Sequence, residues 1–407
     1  MFLACSPVLA HAQPRAAGWY LIPSAAVVEE YDSNIFGDRE DPTSDFITRL
    51  VGELTLGYRS QPLTVLGSYS IAGEIYAENS DLNNIGDRQR ARFLVEYRPE
   101  RRLELRFDAF YGRTNDVKRF FVSEPTPPVP VPAPAPDAPP TGPESAPEPG
   151  VPSPGVASVE FDRQLVEVVR VSPSVSYEFA RFLTGEAAYT FRHVDEEDEP
   201  TSTEHALRLG LARELTPVDT GRITYRFRYF DFGTDSDTTY SNAITFGWER
   251  QVTPRLSILL AAGPRVDEDE SVDAEARARV SYRLQPATVA FAYSRTQEIA
   301  VGLVGPQTID RFAGSLVGRP LANVVGGANV VAGVTGSVIL VSSEQVGGAS
   351  QEDTIYQVSA YVSYRLTRRL TARARYDFSL EQDNGPGDIV SHVVSVALEY
   401  EEPFRIY

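Results

Sequence analysis

Arginines recur in pairs two residues apart along this sequence, as Arg226 and Arg228 do. In a β-strand, residues i and i+2 point to the same face, so each pair presents two guanidinium groups side by side. A guanidinium binds a carboxylate or a sulfate through two parallel hydrogen bonds. The same face of other predicted strands carries Arg49, Arg90, Arg92, Arg106, Arg208, Arg277, Arg279, Arg373 and Arg375. These residues predict a cationic wall that favours anions.

Acidic residues on the same face leave a second interpretation open. They are Glu53, Glu74, Glu96, Glu104, Asp108, Glu186 and Glu275. Charges on neighbouring strands pair across a sheet, so the arginines would then form a ladder of ion pairs that solvates and stiffens the wall. Three aromatic residues of this face, Phe110, Tyr76 and Tyr361, either stack on sugar rings or fill space.

No residue pattern indicates an enzyme. Among the predicted strands, none presents a serine, a histidine and an acid together, as a hydrolase requires. His392 lies on an apolar register beside Val394 and Val396. The paired glycines at Gly326 and Gly347 lack the spacing of phosphate-binding loops. The sequence therefore predicts neither catalytic residues nor a cofactor.

The elements that carry these residues are β-strands. In the segment from Gly221 to Gly233, apolar and polar residues alternate with a period of two, and the same pattern recurs along almost the whole chain. Tyr and Phe are abundant, and no apolar run is long enough for a spanning helix. Such a sequence predicts an all-β, antiparallel up-and-down transmembrane barrel. The competing interpretation is a soluble β-sandwich or propeller, in which the apolar faces bury each other.

The pattern predicts about eighteen strands. The weakest register lies in residues 311–343, which are rich in glycine and valine, so sixteen strands stay open as an alternative. Short turns with proline and arginine alternate with longer, acidic loops such as Asp195–Glu199 and Asp267–Glu270. Outer-membrane barrels have short periplasmic turns and long extracellular loops, so the extracellular end is predicted to be strongly negative.

A Pro-rich segment at residues 124–155 interrupts the strands. Proline has no ladder donor and fixes φ, so this segment is predicted to be a disordered, extended extracellular loop. A partner-binding role for the segment is the alternative.

The acidic segment DEEDEPTST is flanked by two histidines. A symmetric hairpin would set His193 directly opposite His205, both facing outward at the extracellular rim, near Asp195, Glu196 and Asp198. Imidazole and carboxylate groups bind divalent ions, and such an ion would bridge to lipopolysaccharide phosphates. We favour a solvated loop and assign no metal ligand.

The N-terminus reads as a secretory signal peptide at residues 1–12, cleaved before Gln13, with the barrel at residues 13–407. The basic region that usually starts such a signal is missing, so the signal is interpreted as truncated; a lipobox at Cys5 is the less favoured reading. Cleavage would remove the one cysteine, and with it any disulfide. The net charge of -18 argues against nucleic acid as a partner.

Two features carry a resemblance to a known family. They are EYDSNIF at Glu30 to Phe36, and strand ends of the form Tyr-Arg-Leu at residues 282–284 and 364–366. The chain resembles outer-membrane β-barrel porins of Gram-negative bacteria that are often encoded near exopolysaccharide or capsule genes. It departs from that pattern in its Pro-rich insertion and in its ending EEPFRIY, although Tyr407 keeps an aromatic terminus.

The resemblance implies a location in the Gram-negative outer membrane, in contact with its lipid and lipopolysaccharide. It also implies passage of solutes, with an anionic saccharide or exopolysaccharide as the specific expectation and periplasmic export components as candidate partners. The alternative is a non-conducting structural or adhesive barrel that acts through its acidic and Pro-rich loops.

Overall fold

In a computed structural model, the chain folds into one antiparallel β-barrel. The structure describes residues 18–115, 157–158, 165–197, 200–233, 238–301, 305–320, 329–344, 350–382 and 387–406. The predicted signal peptide and the Pro-rich loop at residues 124–155 lie outside this described part. Within the described ranges, no helix is both long and apolar enough to cross a membrane.

Eighteen strands of the described chain form the wall. They are β1 (Gly18–Asp32), β2 (Asp45–Arg59), β3 (Leu63–Tyr76), β4 (Asn84–Glu100), β5 (Leu103–Thr114), β7 (Val166–Ala180), β8 (Leu183–Glu196), β9 (Ser202–Thr216), β10 (Asp219–Asp231), β11 (Thr238–Thr253), β12 (Leu256–Asp267), β13 (Val272–Arg283), β14 (Ala287–Val301), β15 (Pro306–Gly318), β16 (Val330–Glu344), β17 (Ser350–Arg365), β18 (Leu370–Gln382) and β19 (Ile389–Glu401). Two short strands lie outside this set: β6 (Ala157–Ser158) pairs in parallel with β14, and β20 (Phe404–Ile406) pairs with β1.

The sheet closes on itself. Strands that follow one another in the chain pair antiparallel, β5 pairs with β7, and β19 pairs with β1 from Ser24 opposite Glu401 to Asp32 opposite Val393. In the described part of the barrel, closure leaves no edge strand with unpaired backbone groups. The predicted fold class is confirmed, and the uncertain stretch resolves into β15 and β16, so eighteen strands is the correct number.

The outer face of the wall is apolar. Every second residue of a strand points outward, as Leu50, Leu54 and Leu56 do on β2, and these side chains are 42–51% exposed. Aromatic residues mark both borders of the band. On β11, Tyr240 and Trp248 face outward eight residues apart, which is roughly 27 Å along a strand at ~3.4 Å per residue. Tilted by ~40°, that length fits the apolar band of an outer-membrane barrel.

The two ends of the barrel differ, as the sequence predicted. Short turns join β2 to β3, β4 to β5, β7 to β8, β9 to β10 and β11 to β12 at one end, called the turn end here. The connection from β1 to β2 and the Asp267–Val272 connection lie at the other, the loop end. In the latter, the side chain and the backbone N–H of Ser271 donate hydrogen bonds to Asp269 and lower its pKa.

One glycine sets how closely two strands approach. A Cβ atom added to Gly263 on β12 would fall inside the carbonyl group of Ile244 on β11, with the Cα atom of Thr245 only 2.8 Å away. A Cβ atom added to Gly52 on β2 would meet nothing within 4 Å. Backbone atoms cannot yield as a flexible side-chain end does, so Gly263 is required for the packing of β11 on β12.

We expect Gly263→Ala to lower the free energy of unfolding by about 1–3 kcal/mol, the usual cost of overpacking. The matched control Gly52→Ala should change it by less than about 0.5 kcal/mol. Both are measured by urea unfolding of the barrel in lipid vesicles. Equal losses in the two variants would contradict the role assigned to Gly263.

Candidate functional site: the inward face of the barrel

The inward face is polar and carries the predicted arginines. On β10, Arg226 and Arg228 alternate with the outward Ile223, which is 48% exposed. The same alternation puts all eleven candidate arginines on the inward face. These are Arg49, Arg90, Arg92, Arg106, Arg208, Arg226, Arg228, Arg277, Arg279, Arg373 and Arg375. The strands therefore bring these residues to one continuous inner surface, spread around the circumference instead of gathered at one point.

Ion pairs join neighbouring strands along this surface. Arg106 lies 3.2 Å from Glu96, and Arg208 lies 2.6 Å from Glu186. On β18, Arg375 binds Asp377 at 2.7 Å along the strand. These pairs have the ladder form that was the second interpretation of the sequence.

One carboxylate is shared by two arginines at the wall formed by β4, β5 and β7. Asp108 lies 2.9 Å from Arg92 and 3.5 Å from Arg170. The side chains of the two arginines are 29% and 31% exposed, so they face the interior space. The guanidinium of Arg170 also lies 5.8 Å from the ring centre of Phe110. This group, here called the Asp108 cluster, carries one positive charge in excess.

A second group spans strands that are not neighbours. Arg226 on β10 lies 2.9 Å from Glu275 on β13, and Arg228 contacts the same carboxylate. Arg228 also donates to Thr296 on β14 at 2.8 Å. The strands between, β11 and β12, carry small residues in this region, among them Ala243 and Gly263. Because these residues are small, the arginine side chains reach along the wall past two strands.

The loop end of the inner wall is buried. Arg49 lies 2.6 Å from Glu74 and 3.3 Å from Glu30, and these side chains are at most 5% exposed. Tyr76 donates its hydroxyl to Glu74 at 3.1 Å. Apart from Gly57, Ala290, Gly333 and the mid-strand Asp108, the buried residues of the described wall strands lie in the half next to the loop end. The inner surface therefore divides into a buried loop-end half and a more open turn-end half.

The connection from β1 to β2 covers part of the loop end. Ile35 packs on Ile47 and Tyr76 in one hydrophobic cluster, and all three are at most 3% exposed. Asn34 fixes the connection, because its side-chain amide donates to the carbonyl of Asp38 at 2.8 Å and to that of Val390 at 3.2 Å. Tyr76 thus fills space and offers no open ring to a sugar.

Asp45 fixes the next connection, from β3 to β4. Its carboxylate accepts hydrogen bonds from the backbone N–H groups of Ala77, Glu78 and Asn79, at 2.9–3.1 Å. A carboxylate that accepts several N–H groups holds a chain segment in one geometry. The loop-end rim is therefore a rigid structure at both of these connections.

The histidine hairpin differs from the expected register. His193 pairs with Thr203, and His205 pairs with Phe191, so the two histidines are not opposite each other. The register differs because β9 begins at Ser202, inside the predicted loop, and the Thr203 hydroxyl bonds to Nδ1 of His193 at 3.0 Å. His205 Nδ1 bonds to the Tyr189 hydroxyl. In the described part of the chain, no group of three or more potential metal ligands exists, and Asp195 faces outward beside Glu167.

His392 lies on the outer face, as its register predicted. Its ring stacks on Tyr376, whose hydroxyl lies 3.0 Å from Nδ1. It faces away from the inner wall and its serines.

The sequence pattern does not identify several of the charged residues on the inner wall. Arg170, Arg192, Arg265, Glu30 and Glu204 all join ion pairs of the inner wall. Arg170 lies in VEVVRVS, where valines occupy both faces of the strand, so alternation gave no signal there. Arg170 can be assigned to the inner face from its neighbouring strands, because its cross-strand partners Phe110 and Arg192 both face inward.

The barrel resembles solved porin and receptor structures. No protein-family model and no curated protein matches the sequence. Similar structures include OccK7 (OpdD) of Pseudomonas aeruginosa, with 8% identity over 96% of this chain and 100% of that chain and a TM-score of 0.49. They also include OccAB4 of Acinetobacter baumannii, with 8% identity over 96% and 99% and a TM-score of 0.47. The siderophore receptor PirA of Pseudomonas aeruginosa follows with 10% identity over 93% and 80% and a TM-score of 0.42.

A closed antiparallel barrel with an even strand number and an apolar outer band belongs in a bacterial outer membrane. The chain is a multi-pass protein of the Gram-negative outer membrane. This conclusion stands on the strand pairing and the outer face of this chain; at such identities and TM-scores, the similar structures share the barrel architecture alone.

Breaking the buried ion pairs of the loop end should destabilise the barrel. We expect Arg49→Met to lower the free energy of unfolding by about 3–5 kcal/mol, because buried Glu30 would lose this ion pair and buried Glu74 would keep one arginine, Arg88 at 3.3 Å, instead of two. Urea unfolding followed by tryptophan fluorescence measures this change.

The control is Arg98→Met, which removes an ion pair to Glu104 in which the arginine side chain is 48% exposed. Its expected loss is below about 1 kcal/mol. If both variants unfold at the same urea concentration, the loop-end cluster does not stabilise the barrel.

Proposed function

We propose that this protein is an outer-membrane channel that passes solutes through the lumen of its barrel. The observation that supports this proposal is the charged inner wall of a closed eighteen-strand barrel, whose turn-end half is not buried. Barrels of this size are wide enough for an aqueous channel. The arginines and carboxylates of the inner wall interact favourably with water and ions in the lumen. A tightly packed barrel interior would instead be lined by apolar side chains.

The Asp108 cluster supports a preference for anions. Two arginines around a single carboxylate leave an excess of positive charge on the inner wall. Rings and clusters of charged side chains set the ion selectivity of pores. The two guanidinium groups also suit the carboxylates or sulfates of an acidic saccharide.

An anionic saccharide or exopolysaccharide is the most specific substrate that we propose. The family resemblance supports it, together with the arginines and with Phe110 and Tyr361 on the inner wall. Under the same proposal, lipopolysaccharide surrounds the barrel and periplasmic export components meet its turn end. The protein is then a transporter without enzymatic activity.

The second candidate is a non-conducting structural or adhesive barrel that acts through its acidic and Pro-rich extracellular loops. The burial of the inner wall at the loop end favours it, since Arg49, Glu74 and Ile47 are at most 4% exposed. A correctly folded barrel without conductance would support this candidate over the channel.

Charge changes in the Asp108 cluster test the anion preference. The reversal potential in a planar bilayer under a KCl gradient should show anion selectivity for the wild type. Arg170→Gln should reduce the selectivity and Asp108→Asn should increase it. One unit charge acts on an ion at 4 Å with about 1 kcal/mol in water, which is about fivefold in the permeability ratio.

The matched control is Arg250→Gln, since Arg250 lies on the outer face near Trp248 and pairs with Asp219 at 3.6 Å. This variant should leave the reversal potential unchanged. Opposite shifts from Arg170→Gln and Asp108→Asn support the proposal, and identical reversal potentials in all four proteins would refute the selective role of the cluster.

A further inference from the structure

The ring of Tyr361 lies over a glycine on the inward face. A Cβ atom added to Gly333 on β16 would lie 2.5 Å from Cε1, 2.8 Å from Cζ and 2.9 Å from the hydroxyl oxygen of Tyr361 on β17. Gly333 is buried although it faces the lumen. The tyrosine ring therefore rests on the wall, with the lumen on its other side.

Two arginines stand next to this ring on β18. Arg375 is the direct cross-strand partner of Tyr361, and Arg373 is the partner of Ser363. On the far side, β19 sets only Ser395 and Ala397 opposite these arginines. Because those side chains are short, they leave room beside the two arginine side chains, which are 23% and 11% exposed.

The two guanidinium groups differ in how fully they are bound. Nε of Arg375 donates to Asp377 at 2.7 Å. The nearest approach of Arg373 to Glu399 is 3.6 Å, which is longer than a hydrogen bond. Nε of Arg373 is buried and has no hydrogen-bond partner among the described residues. An N–H donor without an acceptor in a buried position is costly, so the present position of the Arg373 side chain is not fully satisfied. This side chain is 23% exposed, and its guanidinium would gain hydrogen bonds by turning toward a carboxylate or sulfate in the lumen.

The combination of a ring and an unsatisfied guanidinium matches the chemistry of an acidic sugar. The C–H groups on one face of a pyranose pack on an aromatic ring, and its carboxylate accepts from the arginines. We propose that Tyr361, Arg373 and Arg375 form a lumenal binding subsite for a uronic acid residue. The subsite deepens the channel function proposed above and rests on it.

Packing alone accounts for part of this geometry, because aromatic rings cover strand glycines in many sheets. This barrel supplies its own reference: Tyr20 on β1 covers Gly57 on β2 in the same way, also on the inward face. Tyr20 lies on a different part of the wall, where its cross-strand partners are Gly57 and Arg405 in place of the Arg373 and Arg375 positions beside Tyr361. A role limited to covering glycine would be the same for both tyrosines.

Block of single-channel current tests the subsite. The probe is trigalacturonic acid, and the neutral trisaccharide maltotriose is its reference. We expect trigalacturonic acid to block the wild-type current more strongly than maltotriose. Arg373→Gln should weaken the block by trigalacturonic acid about tenfold, as the loss of one hydrogen bond to a charged group does. Tyr361→Leu should weaken it about fivefold, through the loss of the aromatic ring on which the sugar packs. Tyr20→Leu should leave it unchanged.

The outcomes separate the two proposals. A wild-type barrel that carries no current refutes the channel and the subsite together. A barrel that conducts but is blocked equally in the wild type, Arg373→Gln and Tyr361→Leu remains a channel, and the subsite is then refuted. Equal weakening by Tyr20→Leu and Tyr361→Leu also refutes it, because packing on glycine would explain both. Tryptophan fluorescence unfolding verifies that each variant is folded.

Discussion

Closure of the sheet is the constraint on which the rest of the structure depends. Hydrocarbon offers no hydrogen-bond partner, so a strand in the membrane must pair its N–H and C=O groups with other strands. In this chain β1 pairs with β19, and this pairing of strands from opposite ends of the sequence closes the sheet. Closure then fixes the two faces, because each strand has one row of side chains toward lipid and one toward the interior.

The inner row has to carry polar groups without leaving charges unmatched. A buried charge is tolerated when a partner and further hydrogen bonds compensate its lost hydration. Arg49 meets that condition with Glu30 and Glu74, and its burial is matched by the burial of both partners. Arg92 and Arg170 share Asp108 where the wall is partly exposed, and water can solvate the remaining charge. Burial thus separates arginines that stabilise the wall from arginines available to a solute.

The sequence predicts the strands well because each strand alternates apolar residues toward lipid with polar residues toward the interior, and this pattern is visible within the strand itself. The polarity of residues such as Ile223 and Arg226 indicates which face of the strand they occupy. The barrel and the inward arginines can therefore be predicted from the alternation with a period of two. Contacts between distant segments leave no such mark. Ile35 packs on Tyr76 at the loop end, and the segment EYDSNIF contains no pattern that predicts this contact. The shifted hairpin at His193 depends on where β9 starts, which is set by the pairing of Thr203 and not by the acidic run before it.

The division of the inner wall into two halves determines where selectivity is to be sought. A solute that enters at the loop end meets side chains already committed to each other, with Arg49 saturated and Tyr76 covered. Past that layer the wall offers Arg373 with an unsatisfied N–H and a tyrosine ring beside it. Rigid, saturated groups exclude by size, whereas unsatisfied groups discriminate by chemistry. In the proposed channel, the loop-end half would exclude solutes by size, and the turn-end half would discriminate between them by their chemistry.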